Sequence, residues 1–158
     1  MNITDLLNPQ AVVLQMEAAD SVEVIQKLGD RLRELGYVKD DFVEATLARE
    51  ASMPTGLPLG GSVNAAIPHV DIAYVNRPAL ALATLKKPVI FRNMVEPEQE
   101  VPVQLVIMLA LEQPKSQIEM LQQVATILQR PDVVDRLMAA STLEEVFEVL
   151  GGLGVPTA

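Results

Sequence analysis

The chain predicts an α/β fold, a single domain in which a mixed β-sheet is sandwiched between flanking helices. Segments with apolar residues at helical spacing alternate with short runs rich in Val, Ile, Leu and Ala, and no internal repeat is visible. Alternation of that kind stacks helices on the faces of a sheet. At 158 residues the chain is long enough to bury one ordinary core without disulfides or metals. The domain is drawn over residues 3–150 and a frayed C-terminal tail over 151–158.

Each element has its own signal. Ile3, Leu6 and Leu7 form a short apolar element, Asn8-Pro9 marks a turn, and residues 11–16 read as a strand. After Asp20-Ser21 as cap candidates, Val24, Ile25, Leu28, Leu32 and Leu35 recur on one face until Gly36, which predicts a helix over 21–35. A second helix starts near Lys39-Asp40-Asp41, whose carboxylates suit a helix N-terminus, and runs to Arg49-Glu50. Residues 52–64 hold two prolines and three glycines and predict one long loop, of a length that compact domains tend to keep for function.

Ala65-Ala66-Ile67 predicts a brief buried strand, which Pro68 ends because proline has no N–H for a ladder. Residues 79–85 and 101–111 predict buried strands, the first followed by a separate apolar run at 89–91. The acidic stretch 92–100 is expected to be a solvated loop. Helices follow at 118–128 and from Pro131-Asp132 onward. A capping-box pattern at Ser141-Thr142-Leu143-Glu144-Glu145 opens a last helix ending at Leu150.

Composition removes whole classes of chemistry. With no cysteine, there are no disulfides, thiolate metal sites or cysteine nucleophiles. One histidine cannot build the usual transition-metal cluster, and the carboxylates lack calcium-loop spacing, so no metal is expected. Gly60-Gly61-Ser62 is not followed by Lys-Ser/Thr, and no dinucleotide fingerprint follows a strand, so no bound nucleotide is expected either. A net charge of −9, from 21 acidic and 12 basic residues, opposes nucleic-acid binding and suits either a basic protein partner or plain solubility. Residues 1–5 carry no basic charge, and the apolar run 101–111 is about half what a spanning helix needs. A cytoplasmic protein without direct membrane insertion is the expectation.

His69 is the candidate catalytic residue, because imidazole is the one side chain here that is nucleophilic and largely neutral near pH 7. It should emerge at a strand end, presented to solvent, just after a glycine-rich loop whose N–H groups suit an anion. Arg49 can bring a guanidinium to a phosphoryl group by bidentate hydrogen bonds; a helix-terminal arginine can equally serve the helix dipole. Thr55 and Ser62 offer hydroxyls to phosphoryl oxygens, or merely to turns. Asp71 either orients the imidazole or caps the following turn.

Three stretches then carry a resemblance: Ala48-Arg49-Glu50, Pro54-Thr55-Gly56-Leu57-Pro58, and Val63-Asn64-Ala65-Ala66-Ile67-Pro68-His69-Val70-Asp71. With Lys87-Pro88-Val89-Ile90-Phe91, Val101-Pro102-Val103 and Gln117-Ile118 downstream, the chain resembles the enzyme IIA domains of the sugar phosphotransferase system. The likeness is to the fructose and mannitol type, and within it to the galactitol branch. The resemblance implies a mannitol-type IIA sandwich, a phosphoryl group taken from phospho-HPr on the Nε2 atom of His69 with Arg49 beside it, and no soluble cofactor or metal. It also implies transfer to a IIB component and, indirectly, to a membrane IIC for uptake of a sugar or polyol. Mannitol-type members have a second histidine where this chain offers Gln117, and the loop joining Arg49 to His69 is longer here. A regulatory protein of the nitrogen-related branch and a non-catalytic binding module with a structural His69 are the alternatives.

Overall fold

The computed structural model describes residues 2–154. The elements run α1 (Ile3–Leu6), β1 (Leu7–Met16), α2 (Ser21–Glu34), α3 (Phe42–Ser52), β2 (Gly56–Leu57), β3 (Ala65–Ala66), β4 (Ala79–Arg92), β5 (Glu100–Ala110), α4 (Pro114–Leu128), α5 (Pro131–Ala139) and α6 (Leu143–Gly154), with one 3-10 turn at Ile72–Tyr74. The five strands form one mixed sheet in the order β1-β4-β5-β3-β2. The pairs β1–β4 and β3–β5 are parallel, whereas β4–β5 and β2–β3 are antiparallel. The α/β/α sandwich read from the sequence is therefore the observed architecture.

Side-chain alternation along the strands divides the core in two. Leu80 and Leu82 on β4 and Leu105, Ile107 and Leu109 on β5 point into one cluster, shared with Met120, Val124, Val134, Leu137 and Leu150 from α4, α5 and α6. The intervening Ala79, Ala81, Ala83, Val106, Met108 and Ala110 point the other way, onto Val24, Ile25, Leu28 and Leu32 of α2 and Phe42 of α3. A strand buried on both faces has no polar positions, which is why 79–85 and 101–111 read as continuous apolar runs. Among the described residues, no helix is long and apolar enough to cross a membrane.

Several boundaries differ from expectation, each for a local reason. Strand β1 starts at Leu7 rather than residue 11, because a register shift between the Leu7–Leu80 and Val12–Leu82 pairs absorbs Asn8-Pro9. Strand β4 is continuous through the supposed break at Lys86-Lys87-Pro88. Those residues are exposed and lie within a register shift between Thr84 and Val89, where proline forfeits no ladder bond. Helix α3 does begin beside Asp41, its N-cap, at Phe42, and it runs on past Glu50 to Ser52. Helix α4 begins earlier than residue 118, at Pro114, a residue suited to a first helical position. The stretch 92–100 is exposed as expected except at Asn93, which is buried and whose Oδ1 accepts from the N–H groups of Val95 and Glu96. Helix α6 continues through Gly154, anchored by Val146, Val149 and Leu150, so the expected tail from 151 is helical as far as the described residues extend; 155–158 lie outside them.

The segment 52–64 is not one loop, because Gly56–Leu57 adds a fifth strand to the sheet. Gly56 also meets the β4–β5 hairpin, accepting the Met94 N–H at 2.8 Å. A Cβ at residue 56 would sit 2.5 Å from the Arg92 carbonyl oxygen, a backbone atom that cannot step aside. Gly56→Ala is expected to destabilise the fold by about 1–3 kcal/mol. Gly61→Ala, where nothing lies within 4 Å of the new methyl, is expected to stay within about 0.5 kcal/mol of the parent. Equilibrium denaturant unfolding of the two variants checks the contrast.

Candidate active site

Strand β3 does not stop cleanly at Ala66. The Ile67 N–H donates to the Thr55 carbonyl at 3.2 Å, and the Leu109 N–H donates to the Pro68 carbonyl at 3.0 Å, so the chain stays in the sheet for two residues more. Pro68 has no N–H to continue the ladder. At that point His69 turns its ring back on its own strand, with Nδ1 2.8 Å from the Ile67 carbonyl oxygen. On the opposite side of the ring, Arg49 from the last turn of α3 places Nη2 3.3 Å from Nε2.

These two partners settle the tautomer. A carbonyl oxygen only accepts and a guanidinium only donates, so the proton resides on Nδ1 and the lone pair on Nε2. The ring's acid–base balance agrees. Burial pulls the His69 pKa below its ordinary 6.5, the Ile67 carbonyl opposes that, and the positive charge of Arg49 adds to the lowering. A neutral ring whose Nε2 carries no proton is a nucleophile once Arg49 turns its donor to an incoming oxygen.

The expectation of a solvent-presented imidazole is corrected: His69 is only 6 % exposed. The strand extension carries it into the sheet edge, and its access to solvent runs through a cavity of about 570 Å³ rather than across an open surface. Arg49, Thr55 and Leu57 line this cavity with Leu121 and Ala125 of α4, and Met53 and Met94, both exposed, lie at its mouth. Its walls are mostly apolar. The Nε atom of Arg49 is buried without a hydrogen-bond partner.

The other candidates separate. Thr55 lines the cavity, but its hydroxyl is committed to the Glu50 carboxylate at 2.9 Å. Ser62 is exposed beside a different cavity of about 250 Å³, with Gly60, Gly61 and Leu128, and is not brought to His69. Asp71 is exposed and caps the 3-10 turn by accepting the Ala73 N–H, while the Ile67 carbonyl, not Asp71, holds the imidazole. Gln117 lies in the first turns of α4 with its Oε1 buried and unpaired, and it is not among the residues lining the His69 cavity. Glu50, absent from the candidates, reaches the site's edge through Thr55. Its signal was an Arg-Glu pair at a helix end followed five residues later by a threonine. Among the described residues, no three His, Asp or Glu side chains group to hold a metal ion.

The mixed five-stranded sheet between two helical layers, with His69 and Arg49 at its edge, defines a single-domain α/β/α sandwich. The family model for the phosphoenolpyruvate-dependent sugar phosphotransferase system, EIIA 2, matches residues 5–151, and the chain belongs to that family. The galactitol-specific EIIA component of Escherichia coli K12 is 33% identical over 130 residues, which is 81% of this chain and 85% of the relative. A nitrogen regulatory protein of Pseudomonas aeruginosa is 27% identical over 154 residues, 95% of each chain. Among solved structures, enzyme IIAMTL of Escherichia coli, in complex with phosphorylated enzyme IIBMTL, superposes with a TM-score of 0.76. It is 26% identical, with 92% of this chain and 97% of that one covered. The family resemblance read from the motifs is thus correct.

With burial and Arg49 both favouring the neutral ring, His69 is expected to titrate below pH 6.5, as the Nδ1–H tautomer, in a 15N-detected NMR titration. Because the unfolded ring protonates near 6.5 and the folded one resists it, this residue takes stability away as pH falls from 6.5 towards the folded midpoint. Arg49→Ala removes one of the two lowering influences, so the midpoint should rise.

Proposed function

We propose that the chain is a IIA phosphocarrier of the sugar phosphotransferase system, cytoplasmic, accepting a phosphoryl group from phospho-HPr on Nε2 of His69 and passing it to a IIB component. A membrane IIC then uses it, indirectly, for uptake of a sugar or polyol of the galactitol kind. The observation that carries this reading is the pair of ring contacts, Nδ1 at the Ile67 carbonyl and Nε2 at Arg49, beside an accessible cavity. Support for a IIB acceptor comes from the solved complex of enzyme IIAMTL with phosphorylated enzyme IIBMTL.

The chemistry follows from the geometry. The Nε2 lone pair attacks phosphorus in line as the bond from phosphorus to the donor breaks, and that bonding pair leaves with the donor. No proton has to leave Nε2, since it carries none. The ring gains positive charge as the N–P bond forms, and the Ile67 carbonyl, accepting Nδ1–H, stabilises that charge. A phosphorylated ring that keeps its Nδ1 proton is also a good leaving group, so the same contact serves acceptance and onward donation. The Arg49 Nη2 contact to Nε2 gives way as the lone pair turns to phosphorus, and the guanidinium then donates to the phosphoryl oxygens.

Incubation with phosphoenolpyruvate, enzyme I and HPr is expected to place one acid-labile phosphoryl group on the protein. His69→Ala should abolish it, and Arg49→Ala should slow it by about a hundredfold, the usual loss for a transition-state oxyanion donor, with the fold intact. Labelling that persists in His69→Ala would show the site to be elsewhere, and no labelling of the parent would leave a binding module. The nitrogen-regulatory relative supports a second reading. It is favoured if the phosphorylated protein captures a regulatory partner but gives nothing to a cognate IIB.

A further inference from the structure

Glu50 follows Arg49 on the last turn of α3, and the relay just described does not use it. Its side chain faces away from the His69 cavity and lines a separate one of about 400 Å³ with Val22, Leu47, Phe91 and Arg92. It therefore cannot touch a phosphoryl group on Nε2. What it does touch is Thr55. The carboxylate accepts the Thr55 N–H at 2.7 Å on Oε2 and the Thr55 hydroxyl at 2.9 Å on Oε1.

From Thr55 the contacts return to the imidazole. The Thr55 carbonyl accepts the Ile67 N–H, the Ile67 carbonyl accepts His69 Nδ1–H, and His69 Nε2 accepts from Arg49. Arg49 and Glu50 are adjacent in the chain, so the hydrogen bonds form a closed circuit that begins and ends on one helical turn. A single contact fixes a distance, whereas a closed circuit also fixes the ring's orientation, the quantity in-line transfer is most sensitive to.

We propose that Glu50 is a positioning residue for phosphoryl transfer: by holding Thr55, it places the Ile67 carbonyl where that carbonyl and Arg49 grip the His69 ring from opposite sides. This rests on the phosphocarrier reading for its functional consequence. The residue type fits the task. Thr55 offers two donors side by side, and an ionised carboxylate is the side chain with two acceptor oxygens to meet them. Packing alone is a poor reason for its presence. Burial raises the Glu50 pKa above its ordinary 4.5, against the opposing pull of the Thr55 hydrogen bonds and of Arg49. A group whose folded pKa is raised stabilises the fold at low pH and loses that contribution as pH rises through the folded value, so an ionised Glu50 costs stability.

The test compares Glu50→Ala, Glu50→Gln and Thr55→Val in two readouts: the rate of phosphoryl acceptance from phospho-HPr, and the His69 tautomer from 15N ring shifts. Glu50→Ala should slow acceptance by roughly tenfold to a hundredfold and replace the single Nδ1–H tautomer by an averaging ring. Glu50→Gln, which keeps an acceptor for the Thr55 N–H, should recover most of the rate. Should Glu50→Ala fail to fold, Thr55→Val, lacking only the hydroxyl arm, must show a smaller loss in the same direction in both readouts. Acceptance at the parent rate, or slowed acceptance with the tautomer unchanged, overturns the proposal. A parent protein that takes no phosphoryl group overturns the phosphocarrier reading instead, and the tautomer comparison then still decides whether Glu50 holds the ring.

Discussion

One hydrogen bond, from the His69 Nδ1–H to the Ile67 carbonyl, sets the chemical character of the site. Without it the two ring nitrogens would be interchangeable, and the lone pair would face the cavity only part of the time. With it, the acceptor-only carbonyl forces the proton to one side and leaves the other nitrogen nucleophilic. Its surroundings are largely buried, which strengthens the bond electrostatically and favours an uncharged ring. The contact joins residues two apart in the chain, so its geometry is set by the backbone path between them, and that path is held on both sides by the sheet.

The sheet gives this local geometry a rigid reference. Strand β5 is buried on both faces over residues 105–110, between a cluster built on α4, α5 and α6 and another built on α2 and α3. The extension of β3 hangs on β5 through Leu109 and on the β2 side through Thr55. The cavity lies where the two helical layers meet around the sheet end, because Arg49 comes from the α3 layer and Leu121 from the α4 layer. Each layer thus contributes a wall, and neither alone would enclose the ring.

Much of this was legible in the residues. Regular helical spacing located α2, α4, α5 and α6, and unbroken apolar runs marked the strands with two buried faces. The difficulties arose where pairing rather than pattern defines an element. Gly56–Leu57 is a strand only because Ala65-Ala66 lies opposite it, and no alternation can announce two residues. Asn8-Pro9 and Lys86-Lys87-Pro88 carry the signature of turns, yet irregular register lets both strands pass through them. At the site, residue type singled out His69 and Arg49, while the reach of loop side chains was unreadable. Ser62 and Thr55 look alike as loop hydroxyls, but one faces another cavity and the other is claimed by a carboxylate. The depth of the imidazole was misjudged for a related reason: a proline ends the ladder's donors, but Pro68 still accepts from Leu109 and draws the next residue inward.

That proline has a consequence reaching beyond its own position. Residue 68 is buried, so any other amino acid there would bring an amide hydrogen into a place where it must find an oxygen. The nearest solution for such a chain is one more rung of the ladder, with residue 69 flattened into the sheet like its neighbours. A nitrogen stripped of its hydrogen is what lets the ladder stop there. The address of the protein's single histidine is written by something the preceding residue lacks.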